Sequence, residues 1–193
     1  MKRLLLMGDS IRLGYQAYVK EFLKDECEVI FENDNSRFIQ YHYWQLNQLF
    51  RHNEPFDLVH FNSGYWDMNI ESPMKEALNP IPEYLAGLKK VVELIRSQGA
   101  TPIFATTPPI YRDGNSSDNT ITNATFTYKN DWVVAYNEAA KTLMNELNVP
   151  INDLFSMLLN GPRYYKCDDG LHLSEEGSRQ CALQIAQIIR NYL

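Results

Sequence analysis

Arg3-Leu4-Leu5-Leu6-Met7-Gly8-Asp9-Ser10, running on into Ile11-Arg12-Leu13-Gly14-Tyr15, is the stretch from which the fold is read. The apolar run reads as a buried strand, Gly8 permits a tight turn, and apolar residues then recur at helical spacing as far as Lys24. Strand, turn and helix in immediate succession are the unit of a parallel α/β sheet. The alternation repeats downstream. Strands are expected at residues 3–8, 28–32, 56–62, 102–106 and 149–152, and helices at 11–24, 40–52, 81–97, 132–147 and about 175–192. The 81–97 helix is the clearest, with Leu85, Leu88, Val91, Val92 and Ile95 in one stripe; Ser174 is the expected N-cap of the last. No repeat, linker or low-complexity tract interrupts the pattern, so residues 1–193 are expected to form one α/β domain.

The 193 residues carry 18 Lys+Arg against 24 Asp+Glu, a net charge of −6. An acidic chain with no Lys/Arg run lacks the basic face that nucleic acid or an anionic membrane requires, and neither is an expected partner. Hydrophobic residues at 45% and charged residues at 22% fit a packed globular chain rather than a disordered one. Cys27, Cys167 and Cys181 are odd in number and far apart, which reads as reduced thiols rather than a disulfide framework or a metal site. The first apolar run is too short for a secretory leader and no stretch approaches a membrane span, so a cytoplasmic location is expected. Nothing in the sequence sets the oligomeric state.

Ligands of open parallel sheets bind beyond the carboxyl ends of the strands. The first strand delivers Gly8-Asp9-Ser10 there, with Ser10 at a helix N-terminus whose unpaired N–H groups favour negative charge. The second delivers Asn33-Asp34-Asn35-Ser36-Arg37, the third Asn62-Ser63-Gly64-Tyr65-Trp66-Asp67 and the fourth Thr106-Thr107-Pro108-Pro109. Asp168-Asp169-Gly170-Leu171-His172 follows the fifth. Taken singly, Ser10 is a helix cap and Asp169-x-x-His172 is loop polarity; taken together they bring a nucleophile, a base and an acid to one edge. His42 and His52 read as surface or helix-end residues and His60 as packed within a strand. Only His172 lies beyond the strands beside acids. Residues 107–130, rich in Asn, Thr, Ser and Pro, exceed the usual loop length and read as a functional flap. Tyr65, Trp66, Tyr111, Tyr128 and Trp132 cluster near the expected mouth, either as a surface for sugar or acyl groups or as rim packing.

Gly8-Asp9-Ser10 near the start and Asp169-x-x-His172 near the end resemble the GDSL/SGNH hydrolase family, and Thr107-Pro108-Pro109, Tyr136-Asn137 and Asn152-Asp153-Leu154 agree with it. The resemblance implies a three-layer α/β/α sandwich on a flavodoxin-like five-stranded parallel sheet of order 2-1-3-4-5. It also implies metal-independent serine esterase chemistry with no cofactor. Ser10 is then the nucleophile, His172 the general base and Asp169 the carboxylate that orients it. The implied oxyanion donors are the Ser10 N–H, the N–H of Ser36 where the family has glycine, and Asn62. The family pattern Gly-x-Asn-Asp reads Gly64-Tyr65-Trp66-Asp67 in this chain, with Trp at the Asn position. Asn62 lies two residues earlier on the same strand face and is the expected amide donor; the Trp66 indole N–H is its rival. Asp9 reads chiefly as a brace for the turn, and Asp9, Gly64 and Trp66 are the groups expected toward the substrate. The spelling Asn-x-Gly-x-Trp-Asp resembles carbohydrate-esterase branches, so the expected substrate is a small short-chain ester, in particular an acetylated saccharide.

Two other readings stay open. Asp9, Asp67, Asp168 and Asp169 suit a divalent cation in a phosphohydrolase, although this leaves Ser10 and His172 without a joint purpose. A non-catalytic binding module on the same fold is the other, favoured by the altered oxyanion donors. A nucleotide site is disfavoured: Gly8 to Gly14 lacks the second glycine of the dinucleotide fingerprint, and no Walker sequence occurs.

Overall fold

Leu4, Leu5 and Leu6 are fully buried because the strand that carries them is flanked on both sides. In the computed structural model, which describes residues 1–71, 73–111, 114–116, 126–165 and 169–193, this strand is β1 (Arg3–Met7). It is followed by α1 (Ser10–Phe22), β2 (Glu28–Phe31), α2 (Ile39–His52), β3 (Leu58–Phe61), α3 (Tyr65–Met68), β4 (Ile70–Glu71) and α4 (Ile81–Ser97). The second half runs β5 (Thr101–Ala105), β6 (Gly114–Ser116), β7 (Phe126–Tyr128), α5 (Asn130–Glu146), β8 (Ile151–Asn152), α6 (Leu154–Leu158), a 3-10 turn (Pro162–Tyr164) and α7 (Glu175–Arg190).

The main sheet has the order β2-β1-β3-β5-β8, all parallel, which is the expected 2-1-3-4-5 arrangement counted over its own strands. From β1 the chain steps one way to β2 and then returns, moving the other way through β3, β5 and β8. Right-handed crossovers therefore put α1 on one face and α2, α4 and α5 on the other. That reversal beside β1 is the topological switch point, where α/β sheets bind ligands. The paired strands are shorter than the sequence pattern suggests, but the ladder continues past β3 through Asp57 N–H to the Arg3 carbonyl and Asn62 N–H to the Met7 carbonyl. The 107–130 segment is not wholly irregular: β6 and β7 pair antiparallel, and β4 adds to β7.

Helix α7 packs along α1 on its face of the sheet. Their approach is close where small residues meet, since a Cβ on Gly14 would lie 3.0 Å from the Ser178 hydroxyl. Both helices begin at the carboxyl edge of the sheet, so the residues at their N-termini become neighbours although 162 positions separate them.

The core also holds charge-capable groups. His60 is packed within β3 as expected, but His42 is fully buried, not at the surface: it shares its helix face with Ile39, Leu46 and Leu49 and meets Phe61 edge-on at 5.9 Å. Neither His42 ring nitrogen has a hydrogen-bond partner among the described residues. Burial pushes both His42 and His60 down to about 3. Between their ordinary 6.5 and 3, the unfolded chain binds a proton that the folded chain refuses, so each imidazole costs about 1.4 kcal/mol of stability per pH unit as the pH falls. Asp67, pushed up to about 6 by burial, has the opposite slope between 3.8 and 6. Burial raises the Asp9 carboxyl as well, so two carboxyls oppose two histidines, and a single substitution isolates one imidazole. For His42→Leu, urea midpoints are expected to give a stability gain about 2–3 kcal/mol larger at pH 4.5 than at pH 7. An equal gain at both pH values would mean that His42 is not held neutral.

Candidate active site

The turn from β1 into α1 is held from below. A Cβ on Gly8 would sit 1.9 Å from the Asn62 side-chain oxygen, so only glycine lets the turn lie this close to β3. Asp9 caps α1: its Oδ1 accepts the Ile11 N–H at 3.0 Å and the Asn62 amide at 2.9 Å. Arg12, fully buried, donates to the carbonyls of Gly8 (3.3 Å), Asp34 (2.5 Å) and Glu32, and to the Gln16 side chain. This guanidinium ties the turn to the loop after β2 and leaves Ser10 as the first residue of α1, where its N–H has no helical carbonyl to bond.

On the other side, the loop before α7 is built around Asp169. Its Oδ1 accepts the N–H groups of Leu171 (2.8 Å) and His172 (2.9 Å), closing a turn that Gly170 completes at φ 64°. Asp169 Oδ2 lies 2.7 Å from His172 Nδ1, and His172 Nε2 lies 2.8 Å from Ser10 Oγ. Burial raises the Asp169 carboxyl, but the hydrogen bonds from the His172 ring and the two N–H groups outweigh it and hold the group below the usual carboxylate range. Asp169 therefore stays ionised beside the imidazole. Its contribution to stability is present above the ordinary carboxylate pKa and is lost as the pH falls through the lowered one. With Nδ1–H donated to Asp169, Nε2 accepts the Ser10 hydroxyl proton, the arrangement that general-base activation of a serine requires.

The remaining expected residues separate into those near the nucleophile and those spent elsewhere. The Ser36 N–H donates to the Gly8 carbonyl at 3.0 Å, and its hydroxyl, fully buried, joins Gly8 N–H to Gln45. Its single amide hydrogen is committed, which corrects its expected place in the oxyanion hole; the residue fastens the turn instead. Asp9 Oδ1 caps the helix and holds the Asn62 amide, which is the bracing part of its expected role. Gly64 is buried, and a Cβ there would lie 2.2 Å from the Thr107 hydroxyl, which makes it a packing glycine rather than a contact. Trp66 is half-buried on α3. Asn62, 1% exposed, sits directly beneath the turn with one amide hydrogen on Asp9.

Asp67 is fully buried and accepts from Ile39 N–H, the Asn79 amide and the Ser63 hydroxyl. Both its oxygens are engaged by protein donors and the side chain is fully buried, which removes it from the carboxylate set considered for a divalent cation; Asp168 and Cys167 lie outside the described residues. Tyr65 and Tyr128 pack edge-on at 5.9 Å, and Tyr65 donates to the Pro108 carbonyl at 2.6 Å, so these two are packing and not rim. The Asn137 amide brackets Thr107 through both its N–H (2.9 Å) and its carbonyl (2.8 Å). Arg12 was not singled out by its sequence, although Arg12, Tyr15, Gln16 and Val19 form one helical face and all are buried.

The family model for GDSL-like lipases and acylhydrolases matches residues 6–180. The chain therefore belongs to the GDSL-like lipase/acylhydrolase family. A GDSL esterase/lipase from Oryza sativa subsp. japonica is 25% identical over 115 residues, a stretch that covers 58% of this chain and 44% of that protein. The chain thus spans less than half the length of this curated relative. Among solved structures, an aryl esterase of M. smegmatis superposes with a TM-score of 0.77 over 100% of both chains at 16% identity. A carbohydrate acetylesterase from Sinorhizobium meliloti does so at 0.72, again over 100% of both chains and at 16% identity. At such identities the likeness establishes the shared fold.

Proposed function

We propose that the chain hydrolyses short-chain esters, acetyl esters of a small saccharide above all, through an acyl-enzyme on Ser10. The observation that carries this reading is the unbroken line from Ser10 Oγ through the His172 ring to Asp169. His172 Nε2 takes the hydroxyl proton as Ser10 Oγ attacks the ester carbonyl carbon. The tetrahedral intermediate collapses when His172 returns that proton to the leaving alcohol, and water then repeats the sequence on the acyl-enzyme. Asp169 fixes the tautomer and stabilises the imidazolium. The Ser10 N–H, at the N-terminus of α1, supplies one oxyanion donor. The second amide hydrogen of Asn62 supplies the next, because the first is held by Asp9 and thereby aims the group at the turn. The acetyl preference and the saccharide rest on the Asn62-x-Gly64-x-Trp66-Asp67 spelling and on what the S. meliloti structure is named for.

Hydrolysis of p-nitrophenyl acetate, butyrate and octanoate with EDTA present tests the reading. Activity that falls with acyl length and ignores EDTA is expected; EDTA-sensitive activity would restore the phosphohydrolase alternative, and no activity on any ester the binding module. Asn62→Ala is expected to lower kcat by about 10²–10³-fold, the worth of one oxyanion donor, whereas Trp66→Phe, which keeps the ring and removes the N–H, costs under about tenfold. The reverse ranking would transfer the donor to Trp66.

A further inference from the structure

A backbone N–H is aimed by the helix that contains it, but a side-chain amide is not. The last torsion of an asparagine has only a broad preference, so the direction of its N–H groups is set by what its two ends touch. For Asn62 both partners belong to α1. Asp9, the cap of that helix, accepts one Nδ2 hydrogen at 2.9 Å. Tyr15, in its second turn, donates its hydroxyl to Asn62 Oδ1 at 3.3 Å. The Tyr15 side chain is fully buried and meets the His60 ring edge-on at 6.2 Å, which fixes the phenol from behind.

These two contacts divide the work. Asp9 Oδ1 also accepts the Ile11 N–H, so a proton on this carboxyl would sit on Oδ2, and Oδ1 stays an acceptor in either charge state. The nitrogen end of the amide therefore faces Asp9. The oxygen end lies under Gly8, whose N–H is already given to the Ser36 hydroxyl, and the donor it finds is Tyr15. An amide held at both ends cannot pivot, and its second Nδ2 hydrogen keeps one direction. A donor on Oδ1 also draws electron density out of the amide nitrogen, which makes that hydrogen a stronger donor as negative charge develops opposite it. We infer that Tyr15 is a positioning residue of the oxyanion hole, its hydroxyl locking the Asn62 amide in the donating orientation and strengthening the N–H it presents. Ser10, its N–H and both anchors of Asn62 then all ride on α1, so the nucleophile and the two oxyanion donors keep their mutual geometry. The inference rests on the esterase reading and on Asn62 as the amide donor within it.

The test is a double-mutant cycle on p-nitrophenyl acetate with wild type, Tyr15→Phe, Asn62→Ala and the double variant. Phenylalanine keeps the buried ring and removes only the hydroxyl. Tyr15→Phe is expected to lower kcat about tenfold with KM within about twofold, and to change kcat by less than about twofold once Asn62 is alanine. A purely structural tyrosine would cost the same factor in both backgrounds. Hydrogen exchange of the Asn62 side-chain amide, followed by NMR, gives a readout without catalysis and is expected to quicken in Tyr15→Phe. An unchanged kcat, a loss carried by KM, equal losses in both backgrounds, or exchange that does not change would overturn the role of Tyr15 and leave the esterase reading intact. Full kcat in Asn62→Ala would remove the amide donor, and the role of Tyr15 with it. Absence of ester hydrolysis by wild type would sink the esterase reading itself.

Discussion

Ser10→Ala is expected to lower kcat for p-nitrophenyl acetate by roughly 10⁴–10⁶-fold with little change in the folded structure. The side chain lost is only a hydroxyl at the first position of α1, and what holds the turn is untouched: Asp9 still caps through Ile11, Arg12 still gathers the carbonyls of Gly8, Glu32 and Asp34, and Ser36 still bonds Gly8. A large kinetic loss without a stability loss separates a nucleophile from a helix-start residue. Thermal melts of the two proteins should agree within a few degrees while their turnover differs by orders of magnitude. A variant that keeps more than a tenth of wild-type kcat would remove Ser10 from the chemistry.

Asp169→Asn is the second large effect, about 10⁴-fold in kcat, and its cause is tautomeric rather than steric. An asparagine keeps an oxygen for the N–H groups of Leu171 and His172, so the turn closes as before. Its amide nitrogen then faces His172 Nδ1 and can only donate there. The imidazole proton moves to Nε2, which now presents a hydrogen to Ser10 Oγ where a lone pair is needed. Raising the pH is not expected to restore the rate, since deprotonating the ring does not reverse the tautomer. Asp169→Ala, which removes the amide, should be no worse than Asp169→Asn if the tautomer is the cause, and loop collapse would show instead as a lower melting temperature.

The parallel α/β sheet was legible because each strand is a short apolar run and each helix a long periodic one, whereas its strand order came from the resemblance to the GDSL/SGNH family. The stripe of α4 was bounded at Ile81 and Ser97 by spacing alone. The pairing of Asp169 with His172 was legible for a different reason, since a three-residue turn joins them, whereas the pairing of Ser10 with His172 spans 162 positions and rested on the family resemblance. What escaped depends on contacts between distant segments. Ser36 stands at the expected block, but only the approach of the β2 loop to β1 decides that its N–H meets the Gly8 carbonyl. His42 falls on the stripe of Ile39, Leu46 and Leu49, a spacing that would have placed it inside, yet a titratable side chain on a helix reads as surface. The pieces α3, α6, β4, β6 and β7 are two to five residues long, too short for any periodicity to register.

The claim on which the rest depends is that Ser10 Oγ becomes covalently acylated. Intact-mass and peptide mass spectrometry after incubation with a fluorophosphonate, which phosphonylates activated serines, measures this directly. One adduct per chain on the peptide that contains Ser10 is expected, absent in Ser10→Ala and much slower to form in His172→Ala. An unlabelled protein that still hydrolyses p-nitrophenyl acetate, or a label on another residue with activity retained in Ser10→Ala, would contradict it.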